Sequence, residues 1–135
     1  MNDDIKGAAF AFNILLASAL NESRHLIPDD APYNISHFFS HYGTNLLHAN
    51  MRDGRALPLT YETRPNVNID CFYVNVYFES PLYMNPILSI VMDAKMLASY
   101  KRFVEVFFEA SMSMQEQSGP AADDLNDNSI PTILL

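Results

Sequence analysis

A chain of 135 residues fits a single domain, and 49% apolar residues with 9 Phe and 7 Tyr exclude the composition of a disordered segment. With 16 acidic against 8 basic residues the formal net charge is −8, which argues against nucleic acid as the principal ligand, because phosphate binding needs clustered Lys and Arg. A single cysteine, Cys71, excludes an internal disulfide and a multi-cysteine zinc site, and it fits a reducing, cytoplasmic location.

Ile5–Leu20, "IKGAAFAFNILLASAL", places apolar side chains on nearly every face of a helical wheel, interrupted chiefly by Lys6, Asn13 and Ser18. Asp3 and Asp4 suit the N-terminal end of such a helix, where the macrodipole favours negative charge. The same acids oppose a secretory leader, whose first region is basic. The apolar stretch is also shorter than the ~20 residues that span a bilayer, so no membrane segment is expected. A helix apolar on all sides must be buried on several. It is expected to be either the central helix of the domain or half of a dimer interface, with Phe12 and Leu16 as its contact residues.

"NESRHLIPDDAPYN" follows as a loop. Asn34–Asn50 is then expected to form a second helix, since Ile35, Phe38, Phe39, Tyr42 and Leu46 fall within roughly 100° of arc. On that wheel His37, His41 and His48 lie within about 40° of one another, opposite the apolar stripe. His37 and His41 stand four apart, the helical spacing that can hold one metal between two imidazoles. His48 would lie about 10 Å farther along the axis, out of reach of the same ion. Phe38-Phe39-Ser40 stands between the first two, so the glutamate of the zinc-protease helix motif is missing. An exposed polar face is the plainer expectation, and an interface contact through His37, His41 and His48 is the alternative to it. No metal and no cofactor are expected, with His37 and His41 as weak candidates.

Asp53-Gly54 marks a turn. "ALPLTYET" and "VNIDCFYVNVYFES" read as strands joined through Arg64-Pro65-Asn66. In the second, Phe72, Val74, Val76 and Phe78 share one face, while Ile69, Cys71, Tyr73 and Tyr77 share the other, so both faces are expected to be covered. A single helix from Pro86 to Gln115 would put Ile87 and Val91 off the apolar arc of Met96, Tyr100, Phe103 and Phe107. The element is therefore expected to break at Asp93, with Ile87–Met92 a third strand and Asp93 capping a helix from about Ala94.

The expected architecture is α+β, in the order α-α-β-β-β-α: two N-terminal helices, a small antiparallel sheet of two to three strands, and a long C-terminal helix. Residues 1–117 form the domain, and 118–135 form an acidic linker and an apolar arm, in which Ile130, Ile133, Leu134 and Leu135 are candidate docking residues. There is no phosphate-cradling glycine motif, no nucleophile elbow and no other catalytic signature. The expected function is a non-enzymatic protein-interaction protein that self-associates as a homo-oligomer and binds a protein partner with a basic surface. It would be an assembly factor, an adaptor or an acidic inhibitor of the kind carried by phages and mobile elements. The alternative is a small metal-dependent enzyme or metal-binding protein using His37 and His41.

Overall fold

Phe12, Leu16 and Leu20 recur every four residues, and Ala9, Asn13 and Ala17 fill the adjoining positions; together they form the buried stripe of helix α1 (Asp3–Glu22). The computed structural model describes residues 3–44, 46–66, 71–80, 82 and 84–118, with side chains as far as Met112. Phe12 is 0% exposed, inside the chain's own core. Of the two roles open to the helix, the central one is therefore what Phe12 and Leu16 fill. Its surface is less uniform than the wheel suggested. Asn13 is 0% exposed whereas Ile14 is 47% exposed.

After a short 3-10 turn at Arg24–Leu26 come five strands, β1 (Ile35–His41), β2 (Leu46–Met51), β3 (Ala56–Asn66), β4 (Cys71–Phe78) and β5 (Leu88–Val91), then helix α2 (Ala94–Ser118). The strands form one antiparallel meander in the order β1-β2-β3-β4-β5, curved into a half-barrel. The α+β class is as expected, but the sheet has five strands rather than two or three.

The two extra strands replace the expected second helix. Residues 35–51 are a hairpin, β1 paired with β2, and its turn lies at Tyr42-Gly43-Thr44. The helical pattern there has a physical origin. The register shifts between Ile35 and His37, so Ile35 and Phe38 both point inward although three residues apart. A bulge that adds one residue turns the two-residue period of a strand into an apparent helical spacing. Gly43, a mild defect in a helix, is a turn residue here.

Of the remaining local signals, the Asp53-Gly54 turn and the break at Asp93 hold, and the strand junction at Arg64-Pro65-Asn66 does not. Gly54 adopts φ 93° in the turn between β2 and β3, a conformation that favours glycine. Asp53 closes that turn by accepting from the Arg55 amide at 3.0 Å. Strand β3 runs beyond the expected Arg64-Pro65-Asn66 junction, since Asn66 still pairs with Cys71. The chain does break at Asp93: the Met96 amide donates to Asp93 Oδ1 at 2.7 Å, which caps α2.

Both helices lie on one side of the sheet. Phe12 packs against Tyr61 of β3 at 5.6 Å between ring centroids and against Tyr100 of α2 at 5.5 Å. The Tyr100 hydroxyl meets Thr63 Oγ1 at 2.8 Å, tying α2 to β3 as well. Farther along, Phe103 of α2 packs with Ala9, one turn before Phe12 in α1 and one turn after Tyr100 in α2, so the helices run antiparallel. At the sheet's first edge the Asn21 amide closes two hydrogen bonds with Phe38: it accepts from the backbone N–H at 2.7 Å and donates to the carbonyl at 2.9 Å.

Because Asp93 holds a first-turn amide of α2, Asp93→Ala is expected to cost about 1 kcal/mol. A lower urea midpoint at unchanged slope is the expected result. A raised midpoint would mean that the residue sits in a helix interior, where alanine is the better helix former.

Candidate functional site

Strand parity sorts the side chains of the sheet into two sets. Phe38, Leu47, Ala49, Leu59, Tyr61, Val74, Val76 and Ile90 turn toward the helices and are buried. Their neighbours turn the other way, and cross-strand register brings them side by side: Phe39 with His48, His48 with Pro58, Thr60 with Tyr77, Glu62 with Asn75, and Asn75 with Ser89. No described helix covers this second face. Among the described residues the expectation that both faces of β4 are covered is corrected: α1 and α2 pack on the same side, and Tyr73 and Tyr77 are half-buried on the other.

At the centre of the open face is Glu62. Its Oε1 accepts from the Tyr77 hydroxyl at 2.7 Å, from Asn75 Nδ2 at 3.1 Å and from Arg64 Nε at 3.2 Å, while Oε2 accepts from Arg64 Nη2 at 3.2 Å. The Ser89 hydroxyl donates to Asn75 Oδ1 and extends the network to β5. The hydrogen bonds from Arg64 and then Tyr77, with a lesser one from Asn75, outweigh the raising effect of burial and hold the Glu62 carboxyl at about 2. The same contact raises Arg64 and Tyr77. A carboxylate that acidic is a weak base near neutral pH, so Glu62 is suited to organising its neighbours and poorly suited to proton transfer. Beside the network a shallow depression of about 410 Å³ is lined by Pro65, Asn66, Tyr73, Ser89, Ile90 and Val91.

The histidines occupy the opposite side of the same face. Phe39 is flanked by two of them: the His48 ring stacks on it at 5.2 Å and 16°, and the His37 ring tilts against it at 5.9 Å and 44°. His41 is exposed at the end of β1. The helical metal pair is corrected by this placement. In a strand, residues four apart lie about 13 Å apart along the chain rather than about 6 Å as in a helix, and Phe39 stands between His37 and His41. Among the described residues no group of three His, Cys, Asp or Glu is placed to hold a metal ion.

The structure thus gathers His37, His41 and His48 on one face, as the wheel did, but through strand alternation. Phe12 and Leu16 belong to the core behind it. Ile130, Ile133, Leu134 and Leu135 lie outside the described residues. Sequence reasoning missed Glu62, Arg64, Asn75, Tyr77 and Ser89 as a set. Glu62 and Arg64 alternate on β3, and Tyr73, Asn75 and Tyr77 alternate on β4. That polar period-two signal was available, but joining the strands needed the register.

Glu62 generates a pH prediction. Its folded-state value of about 2 lies below the ordinary 4.5, so its stabilising contribution is complete above pH 4.5 and is lost as the pH falls toward 2. Wild type should therefore unfold at a higher temperature than Glu62→Gln at pH 7, and the gap should close between pH 4.5 and 2. A gap constant across that range would mean that the ionised carboxylate is not what the network stabilises.

Searches against protein-family models, curated proteins and solved structures found no match to the chain.

Proposed function

We propose that the protein is a non-enzymatic interaction protein that self-associates and binds a protein partner with a basic surface through the open face of its sheet. An assembly factor, an adaptor or an acidic inhibitor would each use such a face. The observation that carries this reading is the face itself: aromatic rings, imidazoles and a pre-organised polar network spread over five strands, with the helices on the other side. Half-buried aromatic and arginine side chains are the residue types that dominate protein interfaces.

Charge supports the nature of the partner. The chain carries a net charge of −8, yet Glu62 is the one acid among the outward residues of the described strands and is paired with Arg64. Asp3, Asp4, Glu22, Asp29, Asp30, Glu105 and Glu109 sit on the helices and loops instead. This separates two tasks. Acids away from the face attract a basic protein at long range, and the face makes the close contact without an unpaired charge to desolvate. No described helix is long and apolar enough to cross a membrane.

Phe39→Ser combined with His48→Ser removes two outward rings and leaves the core residues Phe38 and Leu47 in place. Affinity capture from the source cells should recover a stoichiometric basic protein on wild type. The double variant, folded by circular dichroism, should hold that protein about tenfold more weakly or worse, a loss consistent with stacked rings at an interface. Equal capture by both proteins would remove the open face as the binding surface. A captured partner that is acidic would contradict the electrostatic argument.

A further inference from the structure

The two edges of the sheet are treated differently. On β1 the outward N–H and C=O of Phe38 are occupied by the Asn21 amide, and the strand carries a bulge. Both devices discourage pairing with another chain. On β5 neither is found. Leu88-Ser89-Ile90-Val91 contains no charge and no proline, and Val91 is 55% exposed. The Met92 amide donates to the Phe72 carbonyl. By the alternation of an antiparallel ladder, Ile90 then faces β4, and the N–H and C=O of Ser89 and Val91 turn outward. Among the described residues no hydrogen bond from another element reaches those four backbone groups.

We infer that β5 is a self-pairing edge: two copies join β5 to β5 antiparallel about a two-fold axis through Ile90. The inference rests on the self-association proposed above and assigns its interface. With Ile90 on the axis, Ser89 of one copy lies opposite Val91 of the other, and the reverse. Each outward N–H then meets an outward C=O, so all four groups on each copy are used, the self-complementarity that a two-fold interface requires. Leu88, Ile90 and Met92 face the helices in each copy, so the apolar layer continues across the junction.

Charge selects the occupant. Two copies of net charge −8 repel at long range, and they can touch only where neither presents an acid. The β5 edge is such a place, because its four residues are uncharged and the adjacent Asp93 is committed to capping α2. A basic partner would find no counter-charge on this edge. A second copy meets a surface identical to its own.

The test is mass in solution by sedimentation or light scattering, on the full chain. Wild type should show twice 15.3 kDa. Val91→Pro should fall to the monomer mass with an unchanged far-UV spectrum, because the N–H it removes faces away from β4 and the internal ladder survives. In a Cys71→Ser background, Ile90→Cys should form an interchain disulfide under mild oxidation. The axis brings the two residues into a non-hydrogen-bonded pair about 4.5 Å apart at Cα, within disulfide range. If Val91→Pro fails to fold, this cross-link decides. A monomeric wild type would overturn both this edge and the self-association, and would leave the edge to residues 129–135 of the same chain or to a partner strand. A wild-type dimer that neither cross-links at this position nor dissociates in Val91→Pro would overturn the edge alone, with self-association placed elsewhere.

Discussion

The ring of Phe12 is the point on which this architecture turns. It lies between Tyr61 of the sheet and Tyr100 of α2, fully buried, and so joins α1, α2 and the sheet at one place. Burying a phenylalanine contributes about 1.5–3 kcal/mol, and each aromatic pair adds about 0.5–1.5 kcal/mol. These are large shares of a domain stability of roughly 5–15 kcal/mol. The arrangement also has a geometric consequence. Both helices are drawn to the same side of the sheet, and the other side is left mainly to side chains that tolerate water: tyrosines, histidines, asparagines and an Arg–Glu pair, with Phe39 among the imidazoles. The open face is thus a product of where the helices are held.

That face divides into two regions of different chemistry. Across β3, β4 and β5 the polar side chains satisfy one another, with Glu62 as the shared acceptor. Such a network fixes the positions of Tyr77, Asn75 and Arg64 in the free chain, which would lower the ordering cost of the binding proposed for this face. Across β1 and β2 the contacts are ring on ring, Phe39 with His37 and His48. Among the described residues the acids other than Glu62 lie off the face, so under the proposed function attraction and contact would be carried by different residues.

Local chemistry made some elements legible in the sequence. Asp93 could be read as a cap because the helical phase before it disagrees with the phase after it, and Asp53-Gly54 could be read as a turn from composition. The β4 alternation of Phe72, Val74, Val76 and Phe78 identified its buried face. The hairpin at 35–51 was not legible, because a bulge disguises its inward spacing as helical and because Phe39, although apolar, faces outward. The open face was not legible for a different reason. Whether the second side of a strand is covered depends on where helices far away in sequence come to rest, and the tyrosines on that side read equally well as core or as surface. The histidine cluster survived the wrong element, since residues 37 and 41 share a face at either period and cross-strand pairing supplied His48.

The central claim is that both described helices cover one face of the sheet and leave the other open, and hydroxyl-radical footprinting of the purified protein tests it residue by residue. Phe39, Tyr73 and Tyr77 should be oxidised many times faster than Phe12, Phe38 and Tyr61, with Tyr61 and Tyr77 the sharpest contrast because they lie one register position apart on adjacent strands and so turn to opposite faces. Similar protection of Tyr77 and Tyr61 would contradict the account, since it would mean that the face described as open is covered.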